Sequence, residues 1–208
     1  GVRRAAQAIG HGAERFAAHV KGLELTAYHP AALLGSALGY AISSRGGDYN
    51  NVYASMEHRW TPAQAARAFG TAKALDPQRY EGKGRMVQRA VLVNIILDSL
   101  GICKVPALSM IGAFDLEGEA RLASAQTGWD MTAGELFDIG RRTADIERLI
   151  NLDLGSGPAD DDLPEMFFTG DGPLDRSKFK GMVAEFYAAM GWDDTGRPAD
   201  RGVDDILE

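Results

Sequence analysis

The sequence predicts an all-α fold with at most a short extended segment near residues 19–25, and three observations predict it. Between 84 and 100, Met86, Val87, Ala90, Val91, Val93, Ile95, Ile96 and Leu97 make the chain apolar nearly all round, the pattern of a helix enclosed by other elements. Helix-start chemistry recurs, with Thr61-Pro62, Asp130-Met131-Thr132 and Asp175 each preceding a stretch of helical period. Only Val20-Lys21-Gly22-Leu23-Glu24-Leu25 alternates apolar with polar as an extended segment does.

In chain order, residues 2–20 carry Ala5, Ala6, Ile9, Phe16, Ala17 and Val20 at helical spacing, interrupted by Gly10-His11-Gly12, and predict two short helices with a bend. After Pro30 a small-residue helix is expected over 31–43, with Gly35 and Gly39 placed to admit a close neighbour. Ser44-Arg45-Gly46-Gly47-Asp48 is a turn by composition. Thr61 and Pro62 suit the N-cap and first residue of a helix running to about Ala74. The apolar helix over 84–100 is expected to be buried to its C-terminus. Two more helices are expected over 132–150 and 175–190, and the Gly/Pro/Asp-rich stretch 155–172 is expected to be an ordered loop docked through Leu163, Met166, Phe167 and Phe168.

The chain has 208 residues, 45% hydrophobic and 25% charged, enough for one substantial core, so a single helical domain over 1–208 is expected. A net charge of −7 with scattered Lys and Arg excludes the basic stripe that nucleic acid requires. Its longest apolar stretch, 90–97, is interrupted by Asn94 and falls far short of the roughly 20 residues that span a bilayer. With no signal-peptide pattern and one cysteine, a soluble cytoplasmic protein is expected. The opening Gly1-Val2-Arg3-Arg4, without Met or capping residue, leads us to expect a piece of a longer polypeptide.

The most informative segment is Asp98-Ser99-Leu100-Gly101-Ile102-Cys103-Lys104. Gly101 suits the left-handed position that ends a helix, which sends Cys103 beyond the last turn and is expected to bring it to one buried spot with Asp98. A carboxylate there can accept paired N–H donors from a heterocycle. A thiolate there suits a soft metal or an iron–sulfur cluster, and Lys104 favours the ionised form. On residue chemistry alone the alternative stays open, because a lone cysteine is commonly a small buried packing group.

Several segments, in order, resemble the aldehyde ferredoxin oxidoreductase family. They are Lys21-Gly22-Leu23-Glu24-Leu25, Leu38-Gly39-Tyr40-Ala41 with Ser44-Arg45-Gly46-Gly47-Asp48, and Asp98-Ser99-Leu100-Gly101-Ile102-Cys103. Downstream, Thr127-Gly128-Trp129-Asp130, Glu147-Arg148-Leu149-Ile150-Asn151, Asp162-Leu163-Pro164-Glu165 and Gly191-Trp192-Asp193 with Gly196 and Pro198 continue it, so the resemblance covers essentially the whole chain.

The resemblance implies the helical C-terminal part of an enzyme that oxidises aldehydes to carboxylic acids. In that family tungsten, or sometimes molybdenum, is held by two pterins beside a four-iron four-sulfur (4Fe–4S) cluster that passes electrons to ferredoxin. It implies that Asp98 binds pterin nitrogens, that Gly101, Ile102 and Lys104 line the same cofactor, and that Cys103 is the fourth cluster ligand. The other three ligands form a Cys-x-x-Cys-x-x-x-Cys run that this chain lacks, as it lacks the β-rich domain that cradles the pterins. A partner is therefore expected, either the preceding polypeptide or a separate subunit, together with ferredoxin or another electron carrier; a homodimer is among the expected assemblies. Arg45 is implied to grip cofactor oxygens through its guanidinium fork, where composition alone offers a surface arginine beside a turn.

The sequence departs from the family at Tyr49, where aldehyde-oxidising members commonly carry a proton-transferring histidine, and at Asn51, where a basic residue often stands. A phenol is a poor base at neutral pH. His58 is the candidate substitute, the simpler reading being a solvated or capping histidine. The departure keeps a benzoyl-CoA reductase-like activity on the same cofactor as an alternative, and a non-catalytic helical assembly module as a second. His11, His19 and His29 show no ligand spacing, Asp160-Asp161-Asp162 reads as a solvated, capping loop rather than a calcium site, and Met110, Met131, Met166, Met182, Trp129 and Trp192 read as packing residues.

Overall fold

The computed structural model describes residues 1–169 and 174–199, so the last residues of the predicted 155–172 loop lie outside the described residues. The described chain is helical apart from one two-stranded hairpin. Helix α1 spans Val2–Ile9, and a 3-10 turn over Ala13–Phe16 follows Gly10-His11-Gly12. Strands β1, His19–Val20, and β2, Leu23–Glu24, pair antiparallel, with Val20 opposite Leu23. Lys21 (φ 50°) and Gly22 (φ 86°) form the turn, both left-handed, as a two-residue hairpin with the native strand twist requires. The alternating segment is thus a hairpin instead of one strand.

Helix α5, Lys83–Ser99, is the axis of the fold, and α2 (Leu34–Ile42), α7 (Ala133–Asp153) and α8 (Arg176–Met190) pack around it. Its residues from Met86 to Leu97 are buried apart from the partly covered Gln88 and Arg89, which is why its apolar pattern has no polar face. At Gly84 the α8 backbone comes so close that a Cβ would lie 2.5 Å from the amide nitrogen of Phe186. Gly39 of α2 likewise faces Val52, whose Cβ would stand 2.9 Å from an added methyl.

The capping chemistry places the remaining helices. Thr61 closes a reciprocal capping box with Gln64 at the start of α4, Pro62–Phe69, and Thr132 does so with Glu135 at α7. Helix α4 stops at Phe69, short of the predicted Ala74, because Gly70 turns left-handed (φ 78°) and a separate 3-10 turn follows over Ala72–Leu75. Between α4 and the turn at 44–48 lies the short helix α3, Met56–Arg59.

Several expectations are corrected. Helix α6, Glu117–Thr127, and a π-helix over Val105–Ile111 occupy a stretch for which no helix is predicted. The C-terminus of α5 is not buried: from Asp98 through Gly101 the chain is exposed, since its buried run ends at Leu97. Met110 and Trp129, each 71% exposed, and Met166 do not pack, whereas Met182 is buried and Leu163 and Phe167 dock the loop. The acidic run is only partly solvated. Asp160 caps a turn through the Gly157 amide (2.9 Å), but Asp161 is buried between Lys21 (2.8 Å) and Arg148 (2.8 Å) and accepts from the Tyr187 hydroxyl. No helix among the described residues is long and apolar enough to cross a membrane.

Candidate functional site

Two segments separated by some fifty positions meet at one surface. The first is the turn 43–48 with the 3-10 turn Tyr49–Val52, and the second is the end of α5 with Gly101 to Lys104. Lys104 joins them, donating from Nζ to Asp98 Oδ2 (2.8 Å) and to the Asn50 carbonyl oxygen (2.6 Å).

Helix α5 ends in a Schellman motif. The Ile102 amide donates to the Leu97 carbonyl (2.8 Å), the Gly101 amide donates to the Asp98 carbonyl (3.2 Å), and Gly101 holds φ 67°. Gly101 and Ile102 therefore have no amide N–H left for a ligand, and Ile102 is half-buried against the core. Cys103, two residues beyond Gly101, is exposed and unpaired in any disulfide. Asp98 is exposed as well, its carboxylate held on one side by Lys104 and open on the other. The two groups lie at one exposed end instead of the expected buried spot.

The turn at 43–48 is fixed from below. The Asn51 side-chain amide donates to the hydroxyls of Ser43 and Ser44 (3.2 Å each), Asn151 donates to the Ser44 carbonyl (2.9 Å), and the Gly47 amide donates to Val20 of the hairpin (3.3 Å). Asn51 is thus buried, with its donors engaged within the chain. Arg45 is exposed, and one guanidinium nitrogen contacts Asp48 at 2.7 Å, which leaves the rest of the fork free.

Tyr49 sits between Tyr28 and Tyr53, with ring centroids 5.0 and 6.0 Å away at tilted angles. Loss of solvent first, and then the neighbouring phenols and Asp48, push its hydroxyl above the usual phenol value, so it holds its proton more firmly than a free tyrosine. His58, on α3, lines the same cleft, so both proton-transfer candidates come together.

One residue of this cleft has no warning in the sequence. Glu57 is 3% exposed and ion-paired with Lys83, which is fully buried at the start of α5 and also donates to the Ala74 carbonyl (2.7 Å). Burial raises the Glu57 carboxyl and lowers the Lys83 ammonium relative to their ordinary values, in each case against the pull of the partner. Both residues stand beside ordinary helix-start positions, where a charge is normally solvated.

Among the described residues no group of three or more His, Cys, Asp or Glu side chains is gathered to hold a metal ion. An exposed thiol past a helix end can supply one ligand to a cluster completed from elsewhere. Over residues 1–205 the sequence matches the family described as "Aldehyde ferredoxin oxidoreductase, domains 2 & 3". The chain belongs to the aldehyde ferredoxin oxidoreductase family. It is 32% identical over 205 residues to the tungsten-containing aldehyde ferredoxin oxidoreductase of Pyrococcus furiosus, covering 95% of this chain and 31% of that protein. The protein of the same description from Thermococcus kodakarensis is 31% identical over the same shares, and that of Pyrococcus horikoshii is 30% identical over 86% of this chain and 28% of its own length. The chain thus spans about a third of the length of these relatives.

Proposed function

We propose that this chain is the C-terminal portion of a tungsten-bispterin, 4Fe–4S oxidoreductase that converts aldehydes to carboxylic acids and passes electrons to ferredoxin or a similar carrier. The observation that carries it is the exposed end of α5, where Cys103 lies two residues past Gly101 and Asp98 is tied through Lys104 to the Asn50 carbonyl, close in sequence to the Arg45 turn. Leu100, Val105, Met110 and Ile111 are exposed around it, an apolar surface suited to burial under the rest of a longer enzyme.

The overall change is RCHO + H2O → RCOOH + 2 H⁺ + 2 e⁻. When bound, a tungsten or molybdenum centre would supply two-electron redox chemistry and a 4Fe–4S cluster one-electron transfer. In this reading the Cys103 thiolate is the fourth ligand of the cluster. Asp98, oriented by Lys104, would accept N–H donors of a pterin. Arg45 grips cofactor oxygens with its free nitrogens. His58 takes a proton released in the cleft, because the Tyr49 phenol, its proton held more firmly, is unsuited to that task.

The tyrosine at position 49, where aldehyde-oxidising members of the family commonly carry a histidine, favours one second reading: a benzoyl-CoA reductase-like enzyme on the same cofactor. Assaying the full-length, metal-loaded enzyme with an aldehyde panel and an aryl thioester separates the two. Aldehyde oxidation with electron transfer to ferredoxin is the expected result, and thioester reduction alone would overturn it.

A further inference from the structure

Lys21 stands out in the hairpin turn on two counts. Its backbone is left-handed (φ 50°), a conformation that Gly or Asn adopts more easily, so the turn itself does not call for a lysine. Its side chain is 9% exposed, and the ammonium reaches three oxygens: the Ala41 carbonyl (2.5 Å), the Ser43 carbonyl (3.2 Å) and Asp161 Oδ1 (2.8 Å). Ala41 lies in the last turn of α2 and Ser43 directly follows its end, so the buried positive charge sits where helix carbonyls lack partners of their own. We infer that Lys21 is a positioning residue for Arg45: it fixes where α2 ends and how the 43–48 turn leaves it, and so aims the guanidinium. The inference rests on the reading above in which Arg45 grips cofactor oxygens.

Lys21 acts on Arg45 through the backbone, by way of the Ser43 carbonyl two residues before it. The Arg45 amide in turn donates to the Ser43 hydroxyl (3.3 Å). On the other side of Arg45, Gly46 lies flush on the hairpin: a Cβ there would stand 2.4 Å from the Val20 carbonyl oxygen and 3.2 Å from the Lys21 Cβ. Behind Lys21, Asp161 is held by Arg148 (2.8 Å) and by the Tyr187 hydroxyl, and Arg148 is itself anchored to the Gly196 carbonyl (2.8 Å). The Lys21 side chain is thus the link through which a buried network on α7 and α8 grips the turn. A backbone fixed in this way lowers the ordering cost that an exposed arginine meets when it takes hold of a ligand.

The test measures the pterin metal, tungsten or molybdenum, and iron retained by the full-length enzyme after gel filtration, with circular dichroism for the fold. Lys21→Met leaves Asp161 its Arg148 and Tyr187 partners. It is expected to lower the pterin metal about tenfold, the usual effect of removing a group that orients a ligand, with iron and helical signal at wild-type levels. Arg45→Ala is expected to do the same, and the double variant to retain as much as Arg45→Ala alone, because both changes remove one grip. Lys21→Arg keeps the buried charge but offers a planar fork to three acceptors arranged around an ammonium, and is expected to lose the pterin metal even if Lys21→Met does not fold. Wild-type pterin metal in a folded Lys21 variant, an equal loss of iron, losses that multiply in the double variant, or loss of the helical signal in both Lys21 variants would each overturn the inference while leaving the Arg45 grip standing. Wild-type pterin metal in Arg45→Ala would overturn that grip, and this inference with it. Neither tungsten nor molybdenum in the wild type would overturn the proposed function itself.

Discussion

Removing Glu57 tests the buried floor of the cleft most sharply. Lys83 is fully buried, and without Glu57 its ammonium keeps the Ala74 carbonyl (2.7 Å) as its one named acceptor. Breaking one side of a buried pair costs about 3–5 kcal/mol, because the remaining charge is uncompensated. With a urea dependence of about 2 kcal/mol per molar, Glu57→Ala should lower the unfolding midpoint by about 1.5–2.5 M. The double change Glu57→Leu with Lys83→Met removes both charges and should return the midpoint to the wild-type value or above it. The pH dependence follows from the directions of the two shifts. Glu57 binds its proton more tightly folded than unfolded, so stability falls as pH rises from 4.5 through its raised folded value. Lys83 binds its proton less tightly folded, so stability rises with pH between its lowered folded value and 10.5. Urea unfolding across pH, followed by circular dichroism, reads all of this. A loss under about 1 kcal/mol for Glu57→Ala would refute the buried-pair argument.

Gly84→Ala places a methyl 2.5 Å from the Phe186 amide nitrogen and 2.7 Å from the Glu185 carbonyl carbon, backbone that cannot rotate away, so α5 and α8 must separate. The cost of about 1–3 kcal/mol outweighs the roughly 1 kcal/mol of added helix propensity, and the melting temperature should fall by several degrees in a thermal scan. Tyr49→His restores an imidazole at the cleft wall. In the full-length, metal-loaded enzyme it should raise aldehyde turnover, by up to about 100-fold if proton transfer limits it, and add an ionisation near neutral pH to the rate profile.

The helical class was legible because its signals are local. Thr61, Thr132 and Asp175 bond to amides three residues on, and the end of α5 is written in Gly101 alone. Helix α6 has no local start signal, because its N-cap position is Leu116, with φ 62° and no side-chain cap. The C-terminal stretch of α5 was expected to be buried because its apolar pattern runs through Leu97, and no pattern along one helix tells where its neighbours end. Asp98, Cys103 and Lys104 could be singled out by spacing and resemblance, yet the link from Lys104 to Asn50 is tertiary and has no local trace. Asp161 and Glu57 were illegible for the same reason: each is buried by partners, Lys21 and Arg148 or Lys83, remote in sequence. A charge run or a lone Glu reads as solvated until those partners are placed.

The central claim, that the exposed end of α5 supplies one ligand to a cluster shared with the rest of the enzyme, is tested most directly by Cys103→Ser in the full-length protein. Iron and tungsten are measured by elemental analysis, with circular dichroism as the control for the fold. The account predicts a loss of iron with the helical signal unchanged. Iron content equal to that of the wild type would contradict it.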